Sequence, residues 1–354
     1  MRILRAARSG AAPRVKSLLL GSGSYSLFRR AAPSRRVAIL RYHAICGPEG
    51  YAYAEPAICV SRSAFEAHVA YLTSNYRVLP LPEAVRFIRQ GRSLPANAVV
   101  LTFDDGYADN LWAARLLERY GATATFYVTA GCLAGEAPFW PAEIRELVAR
   151  IGDPEIRLRI GDAEVVITLA TDDDRQRATR TLAALIKAHT IPARERLREQ
   201  LRAAAHGDAV GSPMLTWDEV REMHGRGMTI GAHTVTHPNL PNAGPADAWR
   251  EVAGSKQRVD RELGAPVTMF SYPNGGAERY MTDEIARMVA EAGFEAATTS
   301  RNGFASRGSS LFALERVQVA ERLEDLVFAL EVERFAFKPA PRPVNGNLYA
   351  GHGR

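Results

Sequence analysis

The 354-residue chain is 47% hydrophobic and 24% charged, an ordinary balance for a soluble globular protein with room for one large α/β domain or two small ones. No run of about 18 apolar residues occurs, which excludes a membrane span by a single helix. The net charge of +6 is concentrated in residues 1–36, which carry nine Lys or Arg and no acid; the remaining 36 basic and 39 acidic residues sum to −3, against a nucleic-acid-binding body.

Within residues 1–36 the longest apolar stretch is Leu18-Leu19-Leu20, short of the ~7–15 apolar residues of a secretory signal core. The segment reads as a disordered basic tail, or as an amphipathic segment lying on anionic lipid through Leu18, Leu19, Leu27 and Phe28. An atypical export signal is the third reading. The expected location is cytoplasmic, with peripheral membrane contact through residues 1–36, and export is left open. Cys46, Cys59 and Cys132 make no CxxC pair and are odd in number, which favours a reducing compartment.

From Val37 onward, β-branched runs alternate with helical patterns. Strands are predicted at residues 37–42, 98–103, 124–128, 228–231, 267–271, 295–299 and 314–319. Ser63-Ala64-Phe65-Glu66 predicts a capping box opening a helix towards Asn75, and Thr216-Trp217-Asp218-Glu219 predicts another. Helices over 108–120 and 282–292 end at Gly121 and Gly293, as glycine C-caps do. The alternation breaks over about 139–213, which holds a predicted hairpin (157–160 with 165–169) and a charged helical region over 175–205. We take 139–213 as an insertion in a main domain spanning 37–338, and 339–354 as a Pro- and Gly-rich tail. The fold expected is an irregular (β/α) barrel of about seven parallel strands with a helical insertion; a flat doubly wound sheet is the alternative.

Two segments carry chemistry. Val99 to Tyr107 is an apolar strand ending in Asp104-Asp105-Gly106, and parallel α/β folds place their sites at strand C-termini. Adjacent carboxylates there point in different directions, so one can bind a metal while the other faces a reacting water. The bland reading is a turn and helix cap. His233 and His237, in Gly231-Ala232-His233-Thr234-Val235-Thr236-His237-Pro238, can converge on one cation from a rigid loop; otherwise they are surface histidines. Together the segments offer Asp, His and His, the ligand number of an open hydrolytic site.

TFDDGY (102–107) and HTVTHP (233–238) resemble the first two motifs of the NodB-homology polysaccharide deacetylases, carbohydrate esterase family 4. Phe270-Ser271-Tyr272-Pro273-Asn274-Gly275 is similar to the third. The resemblance covers roughly residues 37–320, the insertion apart. It implies a distorted (β/α) barrel, Asp104 as general base, Asp105, His233 and His237 as metal ligands, and Tyr272, Pro273 and Asn274 at the substrate. The backbone N–H of Asn274 would then stabilise the oxyanion. Zn²⁺ is the metal most expected, with Co²⁺, Ni²⁺ or Fe²⁺ equally suited to the donors.

Two departures stand out. Many relatives carry an arginine two positions before the third-motif proline, where this chain has Ser271. The late Leu-x-His motif that supplies the general acid is absent, since only His352 follows His237. His43, ending the first predicted strand, is the candidate acid, as in circularly permuted relatives whose acid-bearing strand comes first; the plain alternative is a packed histidine. Tyr107, Trp140, Trp217 and Tyr272 could stack on a sugar, though such residues more often pack. The function expected is metal-dependent removal of N-acetyl groups from a polysaccharide or lipid-linked glycan. An amidase on a non-carbohydrate amide and a catalytically dead sugar-binding protein are the competing readings.

Overall fold

The apolar runs become strands β1 (Ala38–Tyr42), β3 (Ala98–Phe103), β4 (Ala124–Val128), β7 (Thr229–Ala232), β8 (Met269–Ser271), β9 (Ala296–Asn302) and β10 (Leu314–Gln318). β2 (Arg77–Val78) and the hairpin β5 (Glu155–Ile160) and β6 (Ala163–Thr168) complete the set. They are seen in a computed structural model that describes residues 12–208, 211, 213–275 and 279–335. The predicted tail, 339–354, lies outside the described residues.

The seven long-range strands are parallel and close in the order β1-β3-β4-β7-β8-β9-β10 and back to β1. β1 makes the closure, pairing with β3 from Ala38↔Val99 to Tyr42↔Phe103 and with β10 at Leu40↔Val317. The barrel therefore replaces the flat-sheet alternative. β2, too short for any periodic signal, adds to the start of β3.

Strand alternation sorts the side chains. Leu40, Tyr42, Phe103, Phe126, Phe270 and Val317 face the surrounding helices. Ile39, Val100, Tyr127, Met269, Ala296 and Leu314 fill the interior together with Leu81, Val85 and Ile88 of helix Leu81–Arg89. Further along, the inward positions turn polar: Thr102, Ser271, Thr298 and Arg316, all buried. This polar layer lies at the strand C-termini, beneath the motifs. Gly231 is inward on β7, where a Cβ would sit 2.6 Å from the Tyr127 ring and 2.7 Å from the Met269 carbonyl.

Residues 139–213 hold helices Trp140–Arg150, Asp172–Ala188 and Ile191–Ala204 with the β5–β6 hairpin, around a separate apolar cluster that includes Trp140, Leu147, Leu158, Leu182 and Leu201. The box at Thr216 forms as expected, Thr216 Oγ1 accepting from the Glu219 N–H at 3.2 Å and Glu219 accepting in return. The first predicted box does not form. Helix Arg62–Asn75 is capped by Ser61, which accepts from the Ala64 N–H and lies two residues before Ser63.

Within the N-terminal segment, the described residues 12–36 depart from the tail reading. Helices Ala12–Gly21 and Ser24–Ala31 dock on helix Leu323–Glu331, with Tyr25 buried against Val327 and Phe328. Lys16 pairs with Asp325 at 2.8 Å, and Arg29 pairs with Glu331 at 2.7 Å with both side chains buried. Leu19 turns into this contact, whereas Leu18 and Leu27 are 72% and 70% exposed. No described helix is long and apolar enough to cross a membrane.

Candidate active site

Asp104 and Asp105 leave the end of β3 and diverge. The Asp104 N–H continues the sheet to the Tyr42 carbonyl, while Asp105 adopts a left-handed φ of 77° and its carbonyl accepts from the Thr129 N–H. That backbone is costly for a residue other than glycine. Seven such residues occur among the described ones, and four lie in the three motifs: Asp105, Thr234, His237 and Asn274. Hydrogen bonds hold the strained loop after β7 from every side. Glu251 accepts from the N–H groups of Val235 and Thr236, Ala130 donates to the Thr234 carbonyl, and Thr234 Oγ1 accepts from the His237 N–H.

This folding brings Asp105, His233 and His237 together, all buried, with one donor atom from each inside 4.8 Å of the others. Both imidazole Nε2 atoms lie 3.4 Å from Asp105 Oδ1. That separation is the edge of a tetrahedron with bonds of about 2.1 Å, the Zn–N and Zn–O length. His233 Nδ1 lies 2.7 Å from the Ser271 carbonyl, which can only accept. Nδ1 therefore carries the hydrogen, and the lone pair sits on Nε2, facing the cluster. These residues can hold a divalent transition metal.

Asp104 is gripped by a residue the motifs do not contain. Arg316, on β10 and 1% exposed, donates through Nη1 to Asp104 Oδ1 at 2.7 Å and through Nη2 to Oδ2 at 2.6 Å. The same guanidinium donates to Ser271 Oγ at 3.1 Å, Thr102 Oγ1 at 3.2 Å and the Thr299 carbonyl at 2.8 Å. Burial would raise the Asp104 pKa. The charge and hydrogen bonds of Arg316 more than offset it, with help from His233 and His43, and hold the carboxyl far below the carboxylate range. Asp105 is likewise held low, against burial, when the histidines beside it are protonated.

His43 reaches the same mouth, its Nε2 3.8 Å from Asp104 Oδ2. Asn110 fixes its backbone by donating to the His43 carbonyl at 2.8 Å. Burial lowers the His43 pKa to about 4 against the opposing pull of Asp105 and Asp104, so the imidazole is neutral near pH 7.

Of the third-motif residues and the aromatics, most are packed away from solvent. Tyr272 is buried, its hydroxyl donating to the Phe312 carbonyl at 2.9 Å and its ring edge-on to Phe270, so its side chain offers a sugar no face. Pro273 is buried too. Asn274 is half-buried and donates through Nδ2 to the Pro238 carbonyl at 3.0 Å, tying the third motif to the His237 loop. Tyr107 and Trp217 pack inside. Trp140 is buried and donates through Nε1 to the His237 carbonyl.

The polysaccharide deacetylase family profile matches residues 91–152 and 160–297, more than half of the chain. The chain belongs to this family. Polysaccharide deacetylases are hydrolases of amide bonds in sugar polymers, and β1, with His43, precedes the matched stretch. YxkH of Bacillus subtilis (strain 168), which bears a polysaccharide deacetylase name, is 25% identical over 301 residues, 84% of this chain and 76% of its own. The Streptococcus pyogenes deacetylase PplD, solved in complex with acetate, superposes with a TM-score of 0.55 at 23% identity, over 84% of this chain and 99% of its own. IcaB from Ammonifex degensii superposes with a TM-score of 0.54 at 17% identity, over 84% and 97%. These two likenesses bear on the fold.

Proposed function

We propose that the protein removes N-acetyl groups from an N-acetylated sugar of a polysaccharide or lipid-linked glycan, with Zn²⁺ the most suitable metal. One juxtaposition carries the reading: a three-donor cluster beside a separate carboxylate that a buried arginine keeps ionised. Asp105, His233 and His237 would hold the cation, which when bound acidifies water and polarises the acetyl carbonyl. Asp104, ionised and fixed by Arg316, accepts the proton of the attacking water. His43, neutral at rest and 3.8 Å from Asp104, takes up that proton and passes it to the leaving nitrogen. The Asn274 N–H would face the oxyanion.

A dead sugar-binding protein was favoured only by the serine at position 271, and Arg316 supplies the missing guanidinium. The exposed Leu18 and Leu27, with Phe335 at 64% exposure and the exposed Arg14, Arg30 and Arg35, suit an anionic membrane surface. We therefore also place the protein peripherally on such a surface, where lipid-linked glycans reside.

The test is acetate release from N-acetylglucosamine oligomers and from a lipid-linked N-acetylated sugar, with Zn²⁺, Co²⁺, Ni²⁺ or Fe²⁺ added singly. Asp104→Asn should keep the metal and lose turnover on the order of 10²–10⁴-fold, the usual worth of a general base. No acetate from any substrate with any metal would overturn the reading.

A further inference from the structure

Between His43 and helix Arg62–Asn75 the chain makes a long loop at the mouth of the barrel. Its two ends lie side by side, Ala44 bridging to Cys59 and the Val60 N–H donating to the Ala44 carbonyl. This places the Cys46 and Cys59 sulfurs 3.3 Å apart, both as free thiols. Cys46 is buried and Cys59 is half-buried, so one sulfur is sheltered and its partner is within reach of solvent. Gly50 closes over the pair: a Cβ there would fall 2.1 Å from Cys46 Sγ, so only glycine leaves room for the sulfur.

We propose that Cys46 and Cys59 form a reversible disulfide that closes the 47–58 loop into a ring at the entrance of the site. The sulfurs need to approach by only about 1.3 Å to reach bonding distance. Cys46 Sγ donates to Cys59 Sγ, and Cys59, the sulfur within reach of solvent, is the one that meets an oxidant. With a low-molecular-weight disulfide as oxidant, the Cys59 thiol loses its proton, attacks one sulfur and expels a thiolate. Cys46 then loses its proton and attacks the Cys59 sulfur, expelling the second. Two protein thiols are oxidised, one disulfide is reduced to two thiols, and two protons are transferred.

The loop so closed is joined to the site. The Tyr53 hydroxyl donates to Asp109 at 3.1 Å, and its ring lies against Tyr107 of the first motif. Arg145, from residues 139–213, donates to the Tyr51 carbonyl and pairs with Glu55 at 2.5 Å. A ring here fixes the loop that runs from His43 to Asp109 and Arg145.

The experiment incubates the full-length protein with oxidised glutathione, then denatures it and labels free thiols with a maleimide. The expected result is one labelled cysteine in place of three, and a tryptic peptide 42–62, which holds both cysteines, lighter by about 2 Da until a reductant restores it. Cleavage of that peptide at Glu49 should leave its two fragments joined. Cys132→Ser should then show no labelled thiol after oxidation. Cys59→Ser should keep Cys46 either free or as a glutathione adduct, with no internal bond. Three labelled thiols in the native protein at every glutathione ratio would overturn the proposal. So would a wild-type glutathione adduct that never closes, or loss of two thiols in Cys59→Ser.

Discussion

Arg316 and Asp104, 212 residues apart in sequence, meet in a two-point ion pair inside the barrel, with the Ser271 hydroxyl against the same guanidinium. Relatives that place an arginine in the third motif bring it from the strand that here carries Ser271. In this chain the guanidinium enters from β10, two strands along the ring, and still reaches the carboxylate. Arg316→Ser should lower kcat on the order of 10²-fold with metal content unchanged. It should also destabilise the fold by about 3–5 kcal/mol by leaving Asp104 unpaired. Restoring an arginine in the double variant Arg316→Ser/Ser271→Arg should return part of both losses. A full rate in Arg316→Ser would show that the pair does not orient the base.

Removing a ligand separates metal binding from folding. Because Glu251 and the backbone hold the 233–237 loop, His233→Ala and His237→Ala should each lose stoichiometric Zn²⁺ by elemental analysis while keeping wild-type circular dichroism. One equivalent of metal retained in both variants would remove these residues from the cluster.

The proton-delivery role of His43 can be read from the leaving group. His43→Ala should keep its metal and lose amide hydrolysis on the order of 10²-fold or more, with a smaller loss on an activated phenyl ester, whose phenolate needs no proton. Equal losses on both substrates would mark the residue as structural.

The docked N-terminal helices change how membrane contact must be probed. Deleting residues 1–36 would remove the buried Arg29–Glu331 pair and unsettle helix Leu323–Glu331. Leu18→Ser/Leu27→Ser alters only outward side chains and should leave Tm unchanged. Sedimentation with anionic phosphatidylglycerol vesicles should fall on the order of tenfold. Identical vesicle binding by the double variant and the wild type would leave these helices as packing alone.

Stability should also fall in mild acid, in part through His68. Its ring is buried beside the Tyr42 hydroxyl at 3.4 Å, and burial lowers its pKa to about 4. The unfolded chain, with an ordinary histidine pKa near 6.5, binds the proton first as pH drops. The contribution is therefore complete above about pH 6.5 and is lost between about 6.5 and 4, up to about 3 kcal/mol. His68→Gln should flatten the Tm profile in that window, and an unchanged slope would contradict the assignment.

The parts of the site readable in the sequence are those whose residues are contiguous. Asp104 and Asp105 close an apolar strand, and His233 and His237 sit in one short loop, so type and spacing declare them. Arg316 carries no such signature, since its partner is supplied by closure of the barrel. Its one clue is alternation: Leu314 faces inward, so Arg316 two residues on must do the same, and a buried arginine needs an anion. Cys46 and Cys59 were hidden for the same reason, thirteen residues apart with only tertiary structure to join them. The helices of residues 12–31 depend on a C-terminal partner that no local pattern names.

The tie between residues 139–213 and the loop after β7 constrains how this protein can be re-engineered. Arg194 donates to the Thr236 carbonyl and hydroxyl, and Trp140 donates to the carbonyl of His237 itself. A chimera that exchanges this segment for a relative's, in search of a new substrate range, would strip three hydrogen bonds from the loop that aims a histidine. Such grafts should succeed only when they carry an equivalent tryptophan and arginine, so substrate range and metal affinity are inherited together.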